Sequence, residues 1–227
     1  FVADETNFEA AINAVRRYHR EEAFRITVHL LRRLASPRAA GHAFADLADA
    51  CVTAVAQAAH AEVERTSGAA PGRWCVLALG KFAGGELTAH SDLDVMVVYD
   101  APDGARSGGA RALAAGDFYA RFAQRLISGL SAPTEEGLLY AIDMQLRPSG
   151  AKGPVAVRLS SFARYYREEA WTWELQALCR ARIVTGDGTL ADSVMASAAA
   201  ALRAPRYRVQ ILSDVASMSA RLDRDKR

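Results

Sequence analysis

The chain is predicted to be an α+β protein in which a small mixed sheet with flanking helices sits between N- and C-terminal helical segments. Three observations predict it. Residues 8 to 66 place apolar side chains at helical spacing. A stretch containing Gly and Pro then ends that pattern, and short apolar runs separated by glycine turns follow. Helical spacing returns from about residue 160. The chain is therefore divided into a helical region at 1–70, a sheet-bearing core at 71–158 and a C-terminal helical region at 159–227.

Taken in order, Phe8, Ile12, Val15 and Tyr18 form one helical stripe, and Phe24, Val28, Leu31 and Leu34 continue it until Ser36-Pro37 intervenes. An Ala-rich helix is predicted from about Ala43 to Arg65, with Phe44, Leu47, Cys51 and Val55 on one side. Thr66 to Arg73 (TSGAAPGR) has no periodicity and reads as a linker and a domain boundary. Trp74 to Leu79 is a short apolar run, the pattern of a strand buried on both faces. Gly80 to His90 holds three glycines and reads as a turn enclosing a helical turn. Leu93 to Tyr99 (LDVMVVY) is a second strand, rich in β-branched residues. Asp100 to Gly109 is an exposed loop. Arg111 to Leu130 is an amphipathic helix with Leu113, Phe118, Phe122 and Leu126 on one side. Leu138 to Leu146 is a third strand. Residues 160–183 and much of 189–227 read as helical, with Trp171, Trp173, Leu175 and Leu178 in the core.

Composition narrows the function classes. Of 227 residues 51% are apolar and 24% charged, an ordinary globular balance with room for a substantial core. A net charge of +2 gives no reason to expect nucleic acid as a partner. Only Lys81, Lys152 and Lys226 are lysines among 28 basic residues, a codon bias with no functional reading. Cys51, Cys75 and Cys179 are odd in number, widely spaced and set in apolar runs, which predicts reduced buried thiols rather than disulfides or a zinc site. No apolar run approaches the ~20 residues of a membrane span, and the N-terminus lacks a basic-then-apolar signal. A soluble, cytoplasmic protein is expected. The chain starts without Met and stops in a charged run, as expected of a piece of a longer protein.

The chemistry concentrates between Leu77 and Asp100. In Ser91-Asp92-Leu93-Asp94-Val95 two carboxylates stand two residues apart at the start of a strand, so they point to the same face. Like charges so placed repel unless a cation sits between them. Mg²⁺ suits the position, because it takes hard oxygen ligands and keeps sites open for phosphate and water. Asp143 is the strongest single residue. It lies in the apolar run LYAIDMQL, where an unpaired charge is costly, and one helix separates its strand from that of Asp92 and Asp94. A β-α-β unit can set the two strands side by side. Three such carboxylates suit two metal ions, one activating the attacking oxygen and one stabilising the leaving phosphate. Gly80, Gly84 and Gly85 allow close backbone approach to a triphosphate, Ser91 can add a donor, and Lys81 and Arg147 supply positive charge. Each part alone has a dull counterpart, since a DxD is usually a solvated turn and a lone lysine a surface charge. Arg180 and Arg182 read as caps, as partners of acids or as nucleotide contacts.

In combination these residues resemble a known family. An apolar residue and Gly80-Lys81, ten residues, then Asp92-Leu93-Asp94-Val95 is similar to the signature of the polymerase β-like nucleotidyltransferases. More closely, GKFAGGEL and SDLD, then DMQLRPSGAKGPV, EEAWTWELQALCRARIV and the earlier YHREEAFRI resemble the bacterial glutamine synthetase adenylyltransferases (glutamate–ammonia ligase adenylyltransferases). The resemblance covers roughly residues 15 to 190. It implies a nucleotidyltransferase core at 71–158, with Asp92, Asp94 and Asp143 as ligands of Mg²⁺ and Asp143 also taking the proton of the attacking hydroxyl. It implies ATP as substrate, glutamine synthetase as protein substrate and the PII signalling protein as regulator of the full-length enzyme.

In this family one half of the chain removes AMP by phosphorolysis and the other adds it to a tyrosine. Glu169-Ala170-Trp171-Thr172-Trp173-Glu174 resembles the C-terminal, adding half. The sequence departs from the family at Gln145, which replaces the first Arg of the usual RLRP and removes one cation from the phosphate-facing strand. Ala78 and Ala83 occupy positions that are often Gly. Rival readings are the phosphorolytic half and a catalytically silent nucleotide-binding module, against which the intact acid triad speaks.

Overall fold

The structure, a computed structural model, describes residues 8–205 and 212–218. Two long helices come first, α1 (Phe8–Leu31) and α2 (Pro37–Ser67). The Ser36-Pro37 break starts α2 rather than merely ending α1. Ser36 Oγ accepts from Ala39 N at 3.2 Å as the N-cap, and Pro37 takes the first helical position, where no N–H is needed. The order is then β1 (Arg73–Ala78), the one-turn α3 (Gly80–Gly84), β2 (Leu93–Asp100), α4 (Ala115–Ser131), β3 (Ile142–Asp143), β4 (Ala156–Arg158), α5 (Leu159–Glu168), α6 (Thr172–Leu178), β5 (Arg182–Gly186) and α7 (Gly188–Arg203).

The strands form one mixed sheet in the order β3-β2-β1-β5. β1 and β2 run antiparallel from Arg73↔Asp100 to Ala78↔Val95. Along the other edge of β2 lie β3 and then β4, both parallel to it. The period of two divides the strand residues between two cores. Val76, Ala78, Val95 and Val97 face α1, α2 and α4, where Phe118 and Phe122 are fully buried. Cys75, Leu77, Met96 and Val98 face α5 and α7, against Phe162, Tyr166 and Val194. Each such large side chain contributes about 1.5–3 kcal/mol by leaving water, so the central β1–β2 ladder is the rigid part of the molecule. The α+β class and the small mixed sheet with flanking helices match the fold expected from the sequence.

Several elements differ from expectation. The strand expected over Leu138 to Leu146 is reduced to Ile142–Asp143, because Asp143 Oδ1 accepts from Gln145 N at 2.7 Å and takes that N–H out of any ladder. The segment read as helix up to residue 183 ends in strand β5, whose Ile183-Val184-Thr185 run pairs with β1. α4 starts at Ala115 rather than Arg111. Buried Ser107 holds the preceding turn, accepting from Leu113 N at 2.9 Å and donating to Ser67 O at 2.6 Å. The helical turn expected between Gly80 and His90 is present as α3.

Trp171 and Trp173, expected in the core, are 69% and 40% exposed, whereas Leu175 and Leu178 are buried. Their segment is organised by Glu174, buried with both oxygens used. It accepts from Trp171 N and from Tyr165 Oη, each at 2.8 Å. Cys51 and Cys75 are buried thiols, each pushed up to about 12 by burial, but Cys179 is exposed. Helices expected over residues 206–211 and 219–227 lie outside the described residues. Among the described residues no helix is long and apolar enough to cross a membrane.

Candidate active site

The site forms where β1 ends and β2 begins. Leu77, Ala78 and Leu79 are buried, which anchors the strand end before the chain turns. Leu79 N donates to Asp94 O at 3.0 Å and extends the β1–β2 pairing by one residue. Gly80 then enters α3 at φ +55°, a left-handed conformation that favours glycine. Space requires glycine as well, since a Cβ here would lie 2.1 Å from Asp94 Oδ2. The Asp94 carboxylate thus rests directly on the backbone of the glycine turn. At the other end of α3, Gly85 is left-handed too, at φ +68°, and a Cβ on it would lie 2.3 Å from His42 Nδ1 of α2.

β2 presents Asp94 on the same face as Met96 and Val98, and β3 sets Asp143 beside it. The register pairs Leu93 with Ile142 and Asp94 with Asp143 in parallel, so the two carboxylates are neighbours on one face of the sheet. Both residues are half-buried. Burial pushes the Asp94 carboxyl above the ordinary aspartate value, Asp143 and Asp92 add to the rise, and Lys81 opposes it. Asp92 precedes the strand and is exposed.

None of the ion pairs among the described residues involves Asp92, Asp94 or Asp143. As the side chains stand, no three His, Cys, Asp or Glu among the described residues are gathered closely enough to hold a metal ion. The structure sets Asp94 against Gly80 and beside Asp143, and leaves Asp92 exposed just ahead of the strand. Acids set beside one another, with Lys81 acting on Asp94 and Arg147 on Asp143, fit a hard divalent cation, which their oxygens would hold.

The remaining expected residues fall into two groups. Lys81 is exposed on α3 and acts electrostatically on Asp94. Ser91 is half-buried, and its Oγ accepts from Thr88 N at 2.9 Å, so it shapes the loop leading into β2. Arg147 is buried rather than extended toward the turn. Its Nη1 donates to Met144 O at 3.2 Å and its Nε to Gly153 O at 3.3 Å, while it also feels the charge of Asp143. Its visible work is to fold the loop behind β3. Two clefts, of about 490 and 430 Å³, are lined by His60, Glu64 and Arg73 and by Trp171, Trp173 and Asp214 respectively, and neither contains the acids.

Two further residues reach this site, Arg182, which the sequence offered as a cap or a partner of acids, and Asp49, which it did not single out. Arg182, at the start of β5, donates to the carbonyls of Phe82 and Ala83, and Asp49 of α2 stands against Arg182. The β-branched run Ile183-Val184-Thr185 ending at Gly186 was the available signal for β5 and for the placement of Arg182. Nothing in the local sequence singles out Asp49.

Residues 1–197 match the Glutamate-ammonia ligase adenylyltransferase family. The chain is similar to proteins named bifunctional glutamine synthetase adenylyltransferase/adenylyl-removing enzyme. It is 47% identical to that of Caulobacter vibrioides over 98% of its own length, 42% identical to that of Mesorhizobium japonicum over 100%, and 41% identical to that of Agrobacterium fabrum over 100%. It spans 23% of the length of each of these relatives.

Proposed function

The chain belongs to the Glutamate-ammonia ligase adenylyltransferase family, and on that premise we propose that it is the nucleotidyltransferase domain that moves AMP from ATP onto a tyrosine hydroxyl of glutamine synthetase. The observation that carries the reading is the parallel pairing of Asp94 with Asp143, both half-buried, with Asp94 seated on Gly80. In the reaction the tyrosine oxygen bonds to the α-phosphorus, the bond to the β-phosphate oxygen breaks and pyrophosphate leaves. Asp143 accepts the tyrosine proton. The left-handed turn at Gly80 keeps side-chain atoms away from the phosphates, and Lys81 offers them positive charge. Asp92, Asp94 and Asp143 would hold Mg²⁺, as two ions, which when bound polarise the phosphate and neutralise developing charge. Positioning and charge account for most of the catalysis in such a site.

The reading includes the adding rather than the removing half, on the likeness of Glu169 to Glu174 to that half. It also includes a cytoplasmic location and regulation of the full-length protein by PII. Incubating the chain with unmodified glutamine synthetase, Mg²⁺ and α-labelled ATP tests it, with an active full-length relative as control. Label on the synthetase is the expected result. No label, together with release of ADP from AMP-modified synthetase and phosphate, would assign the opposite half.

A further inference from the structure

α3 is too short to hold itself in place. A single turn makes few hydrogen bonds of its own, with Glu86 N donating to Lys81 O at 3.0 Å and Gly85 N to Phe82 O at a long 3.4 Å, yet the turn carries Gly80 and Lys81. One guanidinium spans the gap. Arg182 Nε donates to Ala83 O and Nη2 to Phe82 O, both at 3.3 Å, and its central carbon lies 5.0 Å above the Phe82 ring. Nη2 also stands 2.9 Å from Asp49 Oδ1, off the line of an ideal hydrogen bond, so that contact is ionic. Arg182 is paired across the sheet with Ala78, the last residue of β1 and two residues before Gly80. A second contact from α2 backs the same turn, because a Cβ on Gly41 would lie 3.0 Å from Gly85 O.

We propose that Asp49 and Arg182 are positioning residues for the nucleotide. The Asp49 carboxylate holds the Arg182 guanidinium against the carbonyls of α3, and this fixes the Gly80–Lys81 backbone against Asp94. The inference rests on the nucleotidyltransferase reading above. The arginine fork is essential, because a lysine cannot serve two carbonyls, a carboxylate and a ring face together. The two residues act as a unit, so their effects are not additive.

The test compares D49A, R182A, R182K and the exchanged pair D49R/R182D with the unaltered chain. Hydrogen exchange at the Ala83 and Glu86 amides is measured without ligand, and Mg·ATP affinity by calorimetry. D49A and R182A are each expected to exchange about tenfold faster at these amides and to bind Mg·ATP about tenfold more weakly. The double variant D49A/R182A should be no worse than either single one. R182K should behave like R182A, and the exchanged pair should recover nothing, because a carboxylate at position 182 has no N–H to give the carbonyls of Phe82 and Ala83. Transfer assays are expected to place the loss in KM for ATP and leave KM for glutamine synthetase unchanged, which general loss of structure would not do.

If D49A binds Mg·ATP as tightly as the unaltered chain while R182A does not, Arg182 touches the nucleotide directly and the inference fails. Faster exchange with unchanged affinity in both variants overturns it too. An unaltered chain that binds no Mg·ATP contradicts the nucleotidyltransferase reading itself, and the inference falls with it.

Discussion

At one end of the β1–β2 ladder Asp100, Asp103 and Asp187 each have a counter-charge. Arg73 lies 3.9 Å from Asp100 and 3.7 Å from Asp187, and Arg158 meets Asp103 at 2.7 Å. At the other end Asp94 and Asp143 stand side by side with Asp92 close by, and no arginine or lysine among the described residues pairs with them. The same strand, β2, carries both arrangements, with Asp94 and Asp100 on the same face. The ion pairs at the first end are solvent-exposed and worth little individually, but they show that this fold readily supplies a cation to an edge acid. At the second end burial first, and then the neighbouring Asp143 and Asp92, raise the carboxyl of Asp94, and keeping it ionised costs stability. Such a cost is tolerated where a ligand offsets it.

The contrast is broken first by mutation of the acids. Asp94→Asn or Asp143→Asn is expected to lower transfer of labelled AMP to glutamine synthetase at least about a hundredfold. Asp100→Asn should change it less than about twofold. Equal losses at the two ends would erase the distinction.

Glycines at the two ends give a second and smaller contrast. Gly80 and Gly104 both have positive φ, +55° and +72°, but a Cβ on Gly104 meets nothing within 4 Å. Gly104→Ala should therefore cost only the conformational strain, about 1 kcal/mol. Gly80→Ala adds a clash with Asp94 and should cost about 1–3 kcal/mol, together with most of the activity. Urea unfolding of the two variants measures the difference.

The smallest effect concerns pH. Because the folded-state carboxyl of Asp94 is raised, its contribution to stability is fully present below the unfolded-state value and is lost as pH rises through the folded-state value. Without divalent ions, Asp94→Asn should therefore melt slightly higher than the unaltered chain at pH 7, by less than about 1 kcal/mol given its half-exposed position. The same substitution at Asp100 should give no such gain. Adding Mg²⁺ should raise the melting temperature of the unaltered chain and leave Asp94→Asn unmoved.

Much of this was legible in the sequence where one physical signal acted alone. Trp74 to Leu79 is an uninterrupted apolar run and Leu93 to Tyr99 one broken only by Asp94, and they form β1 and β2 within a residue of the expected bounds. Adjacency of Asp94 and Asp143 followed from a single helix between their strands. The reading went astray where a side chain competes with the backbone or where the deciding partner is distant. Asp143 cuts its own strand short by capturing Gln145 N, and Ser107 delays α4. Strand β5 is five residues long amid helical periodicity, and it forms because β1 offers an open edge. Trp171 and Trp173 look like core residues by type, but Glu174 caps α6 so that both rings face outward. The Asp49–Arg182 contact joins elements from opposite ends of the chain, and no local pattern encodes it.

Manganese binding in the presence of ATP, followed by electron paramagnetic resonance, tests the acid site most directly. The unaltered chain is expected to take up about two ions with the nucleotide, and Asp94→Asn to take up none at comparable concentrations while remaining folded. Undiminished uptake by Asp94→Asn would contradict the assignment of these carboxylates.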